Sequence, residues 1–347
     1  MNQITKIFIT LGLFLSIVTS SCKKDTLPDI RCILSQHSLP RQLVKDLGGS
    51  TGSTIGPGGD LFVPDSKAGT ILRIDPKTGD YTTFASGLPE LIPTADPLIG
   101  GVSDVAFLGG KAYALVTLVD DPKLFPTGQI NGIYRIDGPD SFKVIADIGA
   151  YNIAHPPTGF DFEVSTGVLY SIQPYRGGFL VTDGHLNRVL HVTLDGKITV
   201  VRAFDDIIPT GLAVRGDLVY MSEAGPSPHL PENGKVVSFS LNSPTVTNVA
   251  SGAPLLVDVE FGRGQALFAL SQGPFGGGPD GSPALPNTGS LVRVNADGTF
   301  SVIADELDRP TSLEIIGNTA YIVTLGGEIY TIDNIDCPPF GSHHQKN

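Results

Sequence analysis

Ile71-Leu72-Arg73-Ile74-Asp75 decides the fold because it returns, as Ile133-Tyr134-Arg135-Ile136-Asp137, Val189-Leu190-His191-Val192, Val236-Val237-Ser238-Phe239, Leu291-Val292-Arg293-Val294-Asn295 and Ile329-Tyr330-Thr331-Ile332-Asp333. Each copy is rich in β-branched residues, alternates along its length and runs into a turn, which reads as a strand at one fixed place in a repeated sheet. A spacing of roughly 40 to 60 residues is the period of like sheets arrayed around a ring. Six copies predict an all-β, six-bladed β-propeller.

Composition agrees. With 42 Gly, 27 Pro and 17% charged residues in 347, the chain is turn-rich and long enough for one toroidal domain with a sizeable core. The formal net charge of −12 repels phosphate backbones, and no Lys/Arg cluster interrupts it, so nucleic acid is excluded as a partner.

Outward from the repeats, blade 1 covers residues 53–87, with Gly56-Pro57-Gly58-Gly59 turning between its first two strands and Pro76-Lys77-Thr78-Gly79 between its last two. Blade 2 opens at Ser103-Asp104-Val105-Ala106-Phe107 and ends near Ile148. Blades 4, 5 and 6 open at Pro209-Thr210-Gly211-Leu212-Ala213, Leu256-Val257-Asp258-Val259-Glu260 and Pro310-Thr311-Ser312-Leu313-Glu314. Blade 3 offers one strand too many: residues 160–164, 168–173 and 179–182 all qualify, and one of them is expected in an inserted hairpin.

The last repeat has only three strands. Arg41-Gln42-Leu43-Val44-Lys45-Asp46 precedes the first blade and looks like the outer strands elsewhere, so an N-terminal strand is expected to complete the last blade. Cys32 would then precede that strand as Cys337 follows its neighbour, and a disulfide between them would replace the missing hairpin turn; two free buried thiols are the alternative.

Before the repeats, Lys6 leads an apolar run over residues 7–18 that is too short to span a bilayer comfortably, and Thr19-Ser20-Ser21 sets small residues before Cys22. This resembles the lipobox of bacterial lipoproteins and implies lipidation of Cys22. The expected organisation is a signal peptide over residues 1–21, a lipidated Cys and linker over 22–38, the propeller over 39–340 and a polar tail over 341–347. The expected location is the bacterial cell envelope, with the membrane contacted through the anchor.

The connection between second and third strands is long, and rich in Pro and Gly, in blade 2 (120–131), blade 4 (223–233) and blade 5 (272–288). In a propeller these connections all emerge on one face, so they crowd one mouth of the central channel, where ring scaffolds bind ligands or partners.

Ile208-Pro209-Thr210-Gly211-Leu212-Ala213-Val214 followed by Asp217-Leu218-Val219-Tyr220-Met221-Ser222-Glu223 resembles the repeat of secreted ScyD/ScyE-type proteins, relatives of the NHL-repeat and gluconolactonase-like propellers. Phe179-Leu180-Val181-Thr182-Asp183-Gly184-His185-Leu186-Asn187-Arg188-Val189-Leu190 is similar to the NHL strand-turn-strand unit, in which the Asp and the Asn/Arg pair tie the turn. The resemblance implies a six-bladed ring and no defining catalytic motif. Its gluconolactonase-like branch implies a divalent cation in the channel, held by a Glu, two Asn and an Asp. The inner strands here offer Asp104, Asp161, Thr210, Asp258 and Thr311 instead, so that ligand set is not reproduced. Asp104 and Asp258 are candidates to face the channel and hold Ca²⁺ loosely, or to cap inner-strand amides.

Glu223 ends a strand at the insertion-bearing face, where it would contact a polar ligand or bond loop amides; Gln272 opens the blade 5 insertion. The seven His show no metal-ligand spacing, and no catalytic residue or cofactor is expected. The leading expectation is a non-catalytic module that binds a small ligand or a protein through Asp104, Glu223, Asp258 and Gln272. A metal-assisted hydrolase or lactonase working in the channel is the alternative.

Overall fold

The computed structural model describes residues 39–92, 99–279 and 281–336. Cys22, Cys32 and Cys337 lie outside the described residues, as do the leader and the tail.

Six four-stranded antiparallel sheets are arranged as the repeats require. From the innermost strand outward, blade 1 comprises Thr54–Ile55, Leu61–Asp65, Thr70–Ile74 and Tyr81–Ala85, and blade 2 Gly101–Leu108, Lys111–Thr117, Gly132–Gly138 and Ser141–Asp147. Blade 3 comprises Leu169–Tyr175, Gly178–Asp183, Arg188–Thr193 and Ile198–Ala203, and blade 4 Pro209–Arg215, Leu218–Glu223, Lys235–Ser240 and Val246–Ser251. Blade 5 is built from Leu256–Phe261, Leu267–Ser271, Gly289–Val294 and Phe300–Leu307. Blade 6 has Pro310–Ile316, Thr319–Thr324 and Ile329–Asp333, and its outermost strand is Arg41–Val44. That strand runs antiparallel to Ile329–Asp333, with Arg41 opposite Thr331 and Val44 opposite Ile329.

The hydrophobic core lies between blades rather than within them. Phe62 and Ile71 of blade 1 pack on Val105, Ala114 and Tyr134 of blade 2. Ala106, Leu115 and Ile133 of blade 2 pack on Phe179, Val181 and Leu190 of blade 3. A lone blade would leave both apolar faces in water, so each depends on its neighbours, and the seam between blades 6 and 1 decides whether the ring closes. Val44 sits in that seam, 6% exposed, among Leu61 and Val63 of blade 1 and Val323 and Ile329 of blade 6. Val44→Asp buries an unpaired charge there and is expected to cost about 3 kcal/mol, read as a lowered urea midpoint.

Blade 3 departs from expectation. Residues 160–164 form no strand. The connection 148–168 instead holds a helix, Ile148–Ala154, capped by the Asp147 carboxylate on the Ala150 amide, and then an irregular run. Phe160-Asp161-Phe162-Glu163-Val164 pairs with no strand of the ring. Asp161 is therefore exposed in a connection and not on an inner strand.

In each blade the chain passes up and down in order, so second-to-third turns and blade-to-blade connections share one face, called here the upper face. First-to-second and third-to-fourth turns share the lower face. The long stretches 118–131, 148–168, 224–234 and 272–288 are all upper. The chain leading into Arg41 arrives from the lower face.

Candidate functional site

At matching points stand Gly52, just before the inner strand of blade 1, and Asp104, Ser171, Gly211, Asp258 and Ser312 in the inner strands of blades 2 to 6. Around the ring this is Gly-Asp-Ser twice. In blades 2 to 6 the point coincides with a break in ladder register, between Val102 and Asp104, Leu169 and Ile172, Pro209 and Leu212, Leu256 and Asp258, and Pro310 and Ser312. Such bulges re-aim a side chain. Asp104 Oδ1 accepts from the Val105 amide at 2.7 Å and its Oδ2 from the Ile172 amide of blade 3 at 2.8 Å. Asp258 repeats the device, taking the Val259 amide at 2.8 Å and the Leu313 amide of blade 6 at 2.7 Å. Ser171 and Ser312 stand beside these carboxyls and act against their upward shift. Each aspartate thus ties its blade to the next, and the glycine on its other side makes room. A Cβ at Gly52 would lie 2.0 Å from Asp104 Oδ1, and one at Gly211 2.2 Å from Asp258 Oδ1.

Thr210 and Thr311 are turned away from ligand duty. Thr210 Oγ1 donates to the Leu256 carbonyl at 2.9 Å and Thr311 Oγ1 to the Ser50 carbonyl at 2.6 Å, each again binding one blade to the next.

Two residues further along their strands, hence on the same side, Glu260 and Glu314 also line the channel, together with Gln173. Burial pushes all four carboxyls up: Asp258 to about 7, and Asp104, Glu260 and Glu314 in the same direction. The amide bonds to Asp104 and Asp258 oppose that shift, as the Phe261 amide does at Glu260. Nothing opposes it at Glu314, where Glu260, Asp258 and Asp104 add repulsion to burial. Glu314 is thus the channel acid with least to offset its burial.

Tyr170 closes one end. Its ring reaches from blade 3 across to blade 6, where the hydroxyl donates to the Thr311 carbonyl at 3.4 Å. Tyr170 and Thr311 come just before the aspartate level in strands that run downward, so the tyrosine lies between the acids and the upper mouth. The remaining cavity is about 30 Å³. A water needs about 10–15 Å³ by this measure, so the space suits two or three waters and not a sugar lactone.

The four residues proposed from sequence as binders are thus split. Asp104 and Asp258 meet in the channel. Glu223 and Gln272 do not join them. Glu223 ends its strand beneath the blade 4 insertion, buried, with its carboxyl pushed up to about 7 by that burial against the pull of Lys235. Gln272 pins the blade 5 insertion: its Oε1 accepts the Ala284 amide at 2.9 Å and its Nε2 donates to the Pro310 carbonyl of blade 6 at 3.4 Å. Among the described residues no three His, Cys, Asp or Glu side chains are grouped to hold a metal. With both aspartates spending their oxygens on amides, the donor set does not fit the divalent cation that the gluconolactonase-like resemblance implies.

Asp183, Asn187 and Arg188 fasten more than their turn. Asp183 takes the Leu186 and Val168 amides, both at 3.1 Å, and Asn152 of the helix at 2.6 Å. Arg188 donates to Asn152 Oδ1 at 2.7 Å, and Asn187 Oδ1 accepts the Ile208 amide at 2.8 Å.

No protein-family model matches the chain, and a search of curated proteins finds no match. Solved structures do match it. The PQQ-bound aldose sugar dehydrogenase of Streptomyces coelicolor superposes with a TM-score of 0.59 at 16% identity, over 86% of this chain and 98% of that one. A gluconolactonase from Xanthomonas campestris gives 0.57 at 12%, over 84% and 88%. A chain of the nidogen/laminin complex gives 0.54 at 13%, over 81% and 91%. The fold is a six-bladed propeller. At these identities the likeness extends to the fold alone, and the ring is shared by enzymes and by a protein found in a binding complex.

Proposed function

We propose that this protein is an envelope lipoprotein of ScyD/ScyE type, anchored through Cys22, whose propeller binds a partner at its upper face and does no chemistry in its channel. One observation carries the reading: the ring's extra chain length is concentrated on the upper face, while the channel below is stoppered by Tyr170 and narrowed to about 30 Å³. Fold likeness to a protein of the nidogen/laminin complex supports it as analogy only.

Two measurements test the proposal. Metabolic labelling with an alkyne fatty acid should mark the protein and fail on Cys22→Ser. A photo-crosslinker placed at Leu124 or Leu230 on the upper face should yield adducts in cells, whereas one at Asp217 on the lower face should not. Hydrolysis of gluconolactone that disappears in the Glu260→Gln/Glu314→Gln variant would instead establish the hydrolase reading.

A further inference from the structure

The long connections are not separate loops. Asp121 of stretch 118–131 accepts from the Ser165 amide at 2.8 Å and the Ser165 hydroxyl at 2.7 Å. The same stretch, 148–168, is joined to blade 3's turn by His185, whose Nε2 accepts the Val164 amide at 3.1 Å. Asn187 carries the contact to Ile208, whose carbonyl accepts the Ala224 amide of the blade 4 insertion at 3.0 Å. His229 in that insertion then meets Phe275 of the blade 5 insertion edge-on, with ring centroids 5.4 Å apart. The result is a continuous crescent over blades 2 to 5. Blades 6 and 1 carry only short second-to-third turns there, at 325–328 and 66–69.

Each of the four long stretches exposes one large apolar side chain: Leu124 at 52%, Ile153 at 46%, Leu230 at 45% and Leu285 at 45%. Between them stand exposed carboxylates at Asp161, Glu163, Asp205, Asp206 and Glu232, while Lys123 is the one exposed Lys or Arg among the described residues of the crescent's connections. Spaced apolar side chains set in a field of one sign call for an occupant of the opposite sign with apolar teeth. An anionic lipid surface is repelled by this field, and the strand Arg41–Val44 is entered from the opposite face.

We propose that the upper crescent docks a basic polypeptide segment bearing spaced apolar side chains, an inference that rests on the upper face being the binding face. The partner's Lys or Arg residues lie over the carboxylates, and its apolar residues cover Leu124, Ile153, Leu230 and Leu285.

The test uses the full chain in neutral-lipid nanodiscs, with empty nanodiscs as blank, and three synthetic helical peptides of equal length made of Lys and Leu, Lys and Ser, or Glu and Leu. The Lys/Leu peptide should bind most tightly and should weaken as salt rises. Leu124→Ser/Ile153→Ser/Leu230→Ser/Leu285→Ser should weaken it about tenfold or more, as should Asp161→Asn/Glu163→Gln/Asp205→Asn/Asp206→Asn/Glu232→Gln. Leu194→Ser/Leu218→Ser, on the lower face, should leave it unchanged. Absence of binding, equal binding of all three peptides, or indifference to both upper-face variants would overturn the assignment; if a variant fails to fold, peptide choice and salt dependence on the unaltered chain still decide. Upper-face crosslinks that persist while the Lys/Leu peptide fails would reject this partner chemistry and leave the binding face standing. Loss of both would reject the two together.

Discussion

Alanine at Gly211 is expected to cost about 3–5 kcal/mol of stability, and alanine at Gly52 a similar amount, although each adds one methyl group. The new Cβ at position 211 would stand 2.2 Å from Asp258 Oδ1 and 2.6 Å from its Cα. Backbone on one side and a fixed carboxylate on the other leave nowhere to move. Relief requires Asp258 to leave the amides of Val259 and Leu313, which leaves those two donors unsatisfied at about 1–3 kcal/mol each and unties blade 5 from blade 6. At Gly52 the same argument runs through Asp104, the Ile172 amide and the joint between blades 2 and 3. Gly138→Ala is the control. Its Cβ would meet nothing nearer than Ser141 Cβ at 3.6 Å, so a change within about 1 kcal/mol is expected. Denaturant midpoints for the three variants check the result. If Gly211→Ala behaved like Gly138→Ala, the aspartates would not be holding the ring.

That device also shows where the sequence is legible and where it is not. Blade number, blade order and the opening strands of blades 4, 5 and 6 follow from residues such as Pro209, Leu256 and Pro310, because each repeat carries its own turn signals. Strand completion by residues 41–44 is readable for the same reason: a three-stranded last repeat leaves an outer edge that a preceding strand fits. The Phe160 to Val164 run misleads because alternation marks a residue's own preference and says nothing of whether a partner edge is free.

In the channel, Asp104 and Asp258 stand out in sequence, yet their pairing with Gly52 and Gly211 emerges only when inner strands are aligned across blades. Glu260 and Glu314 were accessible by a simpler rule. Each follows a channel-facing position by two residues, and in a strand that keeps the same side. Tyr170 had no such signal: its reach across to Thr311 depends on the width of the ring, which local sequence does not encode. Nor did the contacts that weld the upper connections together, since Asp121 and Ser165 are 44 residues apart and belong to different blades.

The channel acids make a second large effect expected, in the pH dependence of stability. Burial raises Glu260 and Glu314, with Asp258 brought up to about 7 from an ordinary 3.8. A carboxyl whose folded-state pKa is raised binds its proton more tightly in the native ring than in the unfolded chain. Its favourable contribution is complete below the unfolded value and is lost as pH climbs through the folded one. For these groups the window opens near the ordinary values of 3.8 and 4.5 and runs to about 7 and beyond. The melting temperature should therefore be highest near pH 5 and fall by roughly 2–3 °C by pH 8.5, equivalent to about 1–2 kcal/mol once water in the channel is allowed to screen the charges. Below pH 4 the trend reverses, because Asp121 and Asp308 are held below the ordinary value, by the Ser165 bond and the Arg309 guanidinium respectively, and that stabilisation is lost on protonation. Glu260→Gln/Glu314→Gln should flatten the alkaline limb and raise the melting temperature at pH 8.5, while leaving the acid limb in place. Gln keeps the shape and removes the charge that the channel cannot pair. A stability that instead rose from pH 5 to pH 8.5 would mean that the carboxylates are ionised and paired there with a counter-ion, and the channel would have to be read as a cation site.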